Sequence, residues 1–217
     1  MTLLPIFPLN SVLFPGGTMP LHIFEPRYRE LIGDCLAQDA PFGVALIRSG
    51  PEVGDYAEPF NVGTSARITR AEELPDGRLN IVVVGQDRFR ILSTNRSRAF
   101  LQAEVEWAPR DDAGIPPDDP VVGRARRLFE ETFRLSLVLG DQWASRVGLP
   151  AQPGRLADFV AARLEMSLPA KQRLLETDSV RELLEAEAEA LEQAAVELQA
   201  QVALVHFKKY RDFGQTN

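Results

Sequence analysis

The first thirty or so residues mix short apolar runs with closely spaced prolines. From Leu3 to Ile32 the sequence reads LLPIFPLNSVLFPGGTMPLHIFEPRYRELI. A helix cannot continue through prolines at this spacing, because each removes a backbone donor and clashes with the preceding turn. The pattern therefore predicts short extended pieces joined by turns, with the sharpest turn at Pro15-Gly16-Gly17. The interrupting residues are Pro5, Pro8, Pro15, Pro20 and Pro26.

The remainder of the first half predicts one helix and several further strands. The helix runs from Pro26 to about Gln38, because its apolar residues recur at positions i, i+3, i+4 and i+7, which lie on a single helical face. The apolar run Phe42 to Arg48 predicts a strand, and the turn Leu74-Pro75-Asp76-Gly77-Arg78 predicts a hairpin. Gly85 interrupts an apolar run, as at a bulge or a barrel corner. The helix face consists of Tyr28, Leu31, Ile32, Cys35 and Leu36.

The second half predicts helices after an acidic linker. Residues 111–119, DDAGIPPDD, are rich in proline and glycine and show no periodicity. Asp119 and Pro120 then supply an N-cap and a first-turn proline for a helix that ends at Gly140. We therefore divide the chain into a β-rich subdomain at 1–110, a linker at 111–119, a helical subdomain at 120–210 and a tail at 211–217.

Three more helices complete the predicted helical subdomain. Two are short, at about residues 154–166 and 170–176, and Ser179 with Glu182 forms a capping box that opens a long final helix. The seam of that helix favours packing inside the subdomain, while a coiled-coil dimer is the alternative. We expect a monomer or a weak homodimer. The seam consists of Leu184, Ala188, Leu191, Ala195, Leu198, Val202 and Val205.

Several blocks of the chain, in order, resemble the N-terminal domain of Lon proteases. They are HIFEPRYR from His22, FGVALI from Phe42, VGTSARI from Val62, PDGRLNIVVVGQDRFRI from Pro75 and AEVEW from Ala103. The resemblance covers roughly residues 3–205 and implies an α+β fold. That fold would be an N-terminal β-rich, PUA-like pseudo-barrel with one helix, followed by an α-helical subdomain ending in a long helix. It implies a module that recognises an unfolded or a specific protein partner.

The sequence shows no motif for the reactions of a complete Lon protease. No glycine precedes Lys171, Lys208 or Lys209, so the phosphate-binding loop G-x-x-x-x-G-K-[ST] is missing. His22 and His206 are the only histidines and lie in no recognisable motif. We therefore expect no catalytic residues, no metal and no cofactor.

Composition limits the compartment and the partners that we expect. The formal charge of −7 disfavours general attraction to nucleic acid or anionic lipid. No apolar stretch is long enough to span a membrane, and the only cysteine, Cys35, lies on the predicted inward face of the first helix. These features predict a reduced, cytoplasmic protein that contacts no membrane.

The candidate protein-binding residues lie in the N-terminal segment. In the functional interpretation Arg27 holds a carboxylate or a peptide carbonyl, and neighbouring aromatic residues pack against an apolar side chain of the partner. The alternative is internal bracing, in which Glu25 or His22 satisfies the free amides at the start of the helix. The candidates are Phe14, Met19, Phe24, Arg27 and Tyr28.

A second candidate site is the only basic cluster, Arg88, Arg90, Arg96 and Arg98. In a strand, Arg88 and Arg90 share one face, which predicts an anion-binding or RNA-binding surface. The alternative is a solvated strand face paired with acids such as Glu104 and Glu106. Because the whole chain is acidic, we prefer the second interpretation and do not expect nucleic acid as a partner.

Overall fold

The computed structural model describes residues 2–54, 57–111, 114–140 and 148–213, with side chains of the last helix described as far as residue 205. Within these residues seven strands form one sheet. Five helices accompany them in the described part. The strands are β1 Thr2–Leu9, β2 Thr18–Ile23, β3 Phe42–Ser49, β4 Glu58–Pro59, β5 Val62–Glu73, β6 Leu79–Asn95 and β7 Leu101–Trp107. The helices are α1 Pro26–Gln38, α2 Pro120–Leu139, α3 Pro153–Arg163, α4 Leu168–Glu176 and α5 Val180–Phe213.

Five of the strands close into a ring, which confirms the predicted β-rich pseudo-barrel. The order is β1-β7-β6-β5-β3, and β1 also pairs with β3 in parallel, so the first strand closes the ring. A parallel pair needs a crossover connection, and α1 lies within it. β2 lies outside the ring and pairs with β6 alone.

The turns that shape the sheet follow the local sequence. The hairpin between β5 and β6 is confirmed: Gly77 adopts a φ of 75°, and its amide donates to the Leu74 carbonyl at 2.8 Å. The register of β5 against β6 shifts next to Gly85, as expected for a bulge. The Gly85 amide donates to Gly17 O at 2.9 Å, and a Cβ at Gly85 would lie 2.3 Å from the Phe14 carbonyl oxygen. Only glycine allows this close approach.

The described chain divides into two compact units. The first contains residues 1–111 together with 161–178, and the second contains 112–160 together with 179–217. In the first unit α4 packs beside β5, where Gln172 Nε2 donates to the Val62 carbonyl at 3.0 Å. The predicted boundaries at 110, 119 and 210 stay a prediction.

The core of the first unit lies between α1 and the strands. The inward face of α1 packs against an aromatic cluster that includes Phe7 and Phe42. Cys35 is 3% exposed, so its predicted burial is confirmed. A second cluster around Phe89 lines the other part of the sheet.

The second unit is built around α2 and α5. Asp119 caps α2 by accepting from the Val121 amide at 3.0 Å, which confirms the predicted N-cap. Ser179 Oγ accepts from the Glu182 amide at 3.3 Å, which confirms the Ser179 half of the predicted capping box. The seam of α5 is buried from Leu184 to Ala195, whereas Val205 is 49% exposed. Packing within this unit accounts for the first part of the seam.

Candidate functional site

The junction between β2 and α1 carries the candidate residues that lie closest together in sequence. Ile23 ends β2 in the core, and Phe24 then turns outward with 46% of its surface exposed. Glu25 has an extended backbone, and its carbonyl accepts from the Tyr28 and Arg29 amides at 3.1 and 3.0 Å. Pro26 follows as the first residue of the helix, where its missing amide does not matter.

Glu25, Arg27 and Tyr28 brace this junction from inside. Glu25 Oε2 lies 3.0 Å from Arg27 Nη2 and accepts from the Gly54 amide at 3.1 Å. The side chains of the ion pair are only 13% and 14% exposed. One interpretation of the sequence expected the Glu25 side chain to cap the free amides at the start of the helix. The Glu25 side chain makes no such capping hydrogen bond. Its carboxylate instead ties the loop at Gly54 to the start of the helix.

The Tyr28 ring continues this bracing into the core. Arg27 Cζ lies 4.6 Å from the centre of the Tyr28 ring, and the Phe7 ring lies 4.0 Å away on centroids. Burial raises the pKa of Tyr28 to about 12, and the adjacent Arg27 guanidinium offsets this rise only in part. The phenol therefore stays protonated and packs as an aromatic group of the core.

Phe14 is buried and Met19 is partly buried in the fold. Phe14 is 1% exposed, and its carbonyl accepts from the Gly17 amide at 2.9 Å inside the turn predicted at Pro15-Gly16-Gly17. Met19 is partly buried against the main cluster of the first unit. Neither side chain presents more than a part of itself to a partner in this structure.

A polar group on β2 and β6 completes the exposed surface around Phe24. His22 Nδ1 lies 2.7 Å from Asn80 Oδ1, and Arg78 Nη1 lies 3.4 Å from His22 Nε2. The His22 ring stacks on Phe24 with 6.0 Å between centroids. We call Pro20, His22, Phe24 and Asn80 the junction surface.

The four arginines of the basic cluster do not form one face. Arg88 is 3% exposed, and its Nη2 donates to Asp178 Oδ1 at 2.6 Å. Arg90 lies 3.5 Å from Asp178 and 3.7 Å from Glu106. Of the acids proposed as partners from sequence, only Glu106 takes part in these pairs.

The other two arginines lie among different partners. Arg98 pairs with Glu30 at 2.6 Å and with Asp34 at 2.8 Å, both on α1. Arg96 lines a separate pocket of about 270 Å³ together with Arg48 and Glu58. Each arginine of the cluster therefore lies near carboxylates, which reduces the positive potential that an RNA backbone would need.

Comparison with known proteins identifies the family. The family model of the ATP-dependent protease La (LON) substrate-binding domain matches residues 3–193. The chain belongs to the LON substrate-binding domain family. Lon proteases of Anaeromyxobacter dehalogenans and Roseiflexus castenholzii are 32% and 33% identical over 179 and 183 residues, covering 80% and 83% of this chain. Those stretches are only 21% and 23% of the two relatives, so the chain spans about a fifth of their length.

Solved structures agree with this assignment. The Lon N-terminal domain protein from Xanthomonas campestris has a TM-score of 0.66 and 30% identity, covering 86% of this chain and 96% of that one. The N-terminal domain of the Mycobacterium avium complex Lon protease has a TM-score of 0.62 at 18% identity, covering 88% of this chain and 98% of that one. The second likeness supports the α+β fold alone.

In this LON domain, residues distant in sequence hold α4 against the strands. Asp178, just beyond α4, accepts from both Arg88 and Arg90, and Arg110 donates to the carbonyls of Thr177 and Leu174. The sequence analysis missed Asp178, since nothing local marks an acid about ninety positions from its partners. Arg110 acts as a cation at a helix C-terminus, a recurrent stabilising arrangement.

Among the residues that the structure describes, no group of three His, Cys, Asp or Glu side chains is placed to hold a metal ion. No helix in the described ranges is long and apolar enough to cross a membrane.

Proposed function

We propose that this chain is a non-enzymatic module of the cytoplasm that recognises unfolded or specific protein partners. The observation that carries the proposal is the match to the LON substrate-binding domain over residues 3–193. The sequence itself agrees, because it shows neither a phosphate-binding loop nor a plausible Ser-Lys dyad. Its single cysteine fits a reducing compartment.

The junction surface supports the proposal as a pre-organised contact. Phe24 is a large aromatic side chain held half-exposed between β2 and α1, on a backbone fixed by the Glu25–Arg27 pair. A rigid anchor loses little conformational entropy when a partner binds, so more of the contact energy appears as affinity. One such anchor still gives weak binding, with a Kd on the order of 10 μM or weaker by this balance.

Fluorescence anisotropy tests the proposal. A labelled, reduced and alkylated small protein is titrated with the full chain at about 0.15 M salt, where long-range attraction between exposed charges is largely screened. We expect saturable, salt-tolerant binding, weakened about tenfold in Phe24→Ala as for an aromatic binding hot spot. Leu92→Ala is the matched control, because Leu92 is 45% exposed on β6 and lies outside the junction surface.

A parallel titration with RNA gives the result that would contradict the proposal. A short labelled RNA is titrated in parallel, together with a variant in which Arg88, Arg90, Arg96 and Arg98 are alanine. Absence of polypeptide binding, with RNA binding that falls steeply with salt and disappears in that variant, would overturn the proposal. Thermal unfolding of each variant verifies that it is folded.

A further inference from the structure

A cleft of about 350 Å³ lies at the other end of α1 from the junction surface. It is bounded by the start of β1, by β7 and its preceding turn, and by the C-terminal half of α1. All of these elements belong to the first compact unit. Its volume falls within the range of about 300–1,000 Å³ that is usual for ligand sites.

The apolar part of the cleft has a buried floor and an exposed rim. Leu4, Cys35 and Phe100 are 3%, 3% and 1% exposed, whereas Leu3 and Trp107 keep 54% and 44% of their surface in solvent. Burial raises the pKa of the Cys35 thiol to about 11, so Cys35 lines the floor as a neutral apolar group. An exposed tryptophan beside an apolar floor is the composition typical of a binding hot spot.

The charges at the cleft are unbalanced. Arg98 Cζ lies 4.7 Å from the centre of the Phe100 ring, and this one guanidinium is shared between Glu30 and Asp34. Two carboxylates therefore share one cation at the cleft, and the excess negative charge favours a positively charged ligand.

Amide side chains supply the remaining polar contacts. Gln38 and Gln102 line the cleft, and each amide both donates and accepts hydrogen bonds. Such groups suit a peptide backbone, which presents one donor and one acceptor for most residues. Apolar, anionic and amide groups thus meet in one place.

We propose that this cleft binds an aromatic or large aliphatic side chain of a polypeptide, flanked by lysine or arginine. The inference rests on the proposed function and specifies which sequence that module recognises. The apolar side chain enters beside Leu3, Phe100 and Trp107, and the flanking cation lies near Asp34 and Glu30. The glutamine side chains hold the peptide backbone between these contacts.

The test uses the full chain and three labelled peptides of equal length. One contains phenylalanine flanked by lysines, the second has glutamates in place of the lysines, and the third has alanine in place of the phenylalanine. We expect the first to bind about tenfold more tightly than either of the others, corresponding to roughly one lost hot-spot contact. The preference for lysine over glutamate should shrink at high salt, because the carboxylates at the cleft are partly exposed.

Variants locate the binding. Trp107→Ala should lose about tenfold in affinity for the first peptide, as expected for an aromatic anchor, while Leu92→Ala should not change it. In a Trp143→Phe background Trp107 is the only indole, since the chain has two tryptophans. The first peptide should then shift its emission to shorter wavelength, and this readout does not depend on a change in stability.

The outcomes separate the two proposals. Polypeptide binding by the wild type that is unchanged in Trp107→Ala, or that leaves Trp107 emission unchanged, overturns the cleft and leaves the proposed function standing. Equal binding of the lysine and glutamate peptides overturns the predicted charge preference. No binding of any polypeptide overturns both proposals.

Discussion

An arginine paired with carboxylates lies near each end of α1, but the arginine is largely buried at one end and partly exposed at the other. At the N-terminal end the largely buried cation of Arg27 pairs with Glu25, and Phe24 is left 46% exposed. Farther along the helix, Arg98 stays about 41% exposed and is shared between two carboxylates of α1, Glu30 and Asp34. The comparison shows that the density of polar and aromatic residues in a motif does not reveal which charges remain accessible after the fold has paired them.

The largest expected effect is the loss of stability in Arg27→Ala. The variant leaves the largely buried carboxylate of Glu25 without its cation, so we expect the free energy of unfolding to fall by about 3 kcal/mol. Urea unfolding followed by circular dichroism measures it. Arg98→Ala, at the other end of the helix, should cost no more than about 1 kcal/mol, because that pair is partly exposed. Equal losses at the two ends would contradict the comparison.

A peptide that reaches both ends of α1 should bind more tightly than one that reaches a single end. A helix of 13 residues is about 20 Å long, and an extended chain covers that distance in roughly six residues. Two aromatic anchors at this spacing should gain about 10- to 100-fold in affinity by acting in one molecule. The control peptide carries the same anchors two residues apart. An unchanged Kd would show that the two surfaces do not act together.

Alkaline pH should lower the stability of the protein in two steps, first through Cys35 and then through Tyr28, which lie on the two halves of α1. A group whose pKa is raised on folding stabilises the native state below its unfolded value, and this contribution is lost as the pH rises through the folded value. For Cys35 the pKa rises from 9.0 to about 11, so its loss begins near pH 9 and reaches roughly 1 kcal/mol by pH 10. For Tyr28 the pKa rises from 10.0 to about 12, so its loss follows between those values.

Cys35→Ala separates the two titrations. The stability of this variant, measured by urea unfolding from pH 8 to 11, should stay nearly level between pH 9 and 10 and decline only above that range. If the stability of the variant also declined between pH 9 and 10, the titration in that range would belong to a group other than Cys35.

The smallest expected effect is a gain in peptide affinity. Among the described residues that line the cleft, Arg98 is the one cation, and Arg98→Ala removes it. A peptide with lysines beside phenylalanine should then bind about threefold more tightly, as for one exposed charge interaction. The same variant should bind the glutamate peptide more weakly. Anisotropy at low and high salt measures both, and weaker binding of the lysine peptide would show that Arg98 itself contacts the partner.

Local signals in the sequence were sufficient for the elements of the fold. The prolines of the first segment, the caps at Asp119 and Ser179, and the turn at Gly77 act within a few residues, so the sequence displays them directly. The β-rich pseudo-barrel and the α+β class followed from the resemblance to Lon domains, and the solved Lon N-terminal domain structures confirm the fold class.

Local sequence signals could not predict which individual side chains are exposed. The interior positions of Phe14 and Arg88 depend on neighbours that lie far away in sequence, such as Gly85 and Asp178. Leu3 and Trp107 have no motif around them, and their exposure results from the way β1 and β7 pair at their ends. The candidate residues of the junction therefore stay predictions until binding is measured.

The closed ring of strands also sets the order in which the chain can fold during synthesis. β1 pairs with β7, whose residues lie about one hundred positions later, and the unit also needs residues 161–178. At about 5–20 residues per second, β1 waits roughly 5–20 seconds for β7, the later of its two partner strands, to be made. During that interval one edge of β1 has no partner strand, and an unpaired strand edge in an incomplete chain is prone to aggregation.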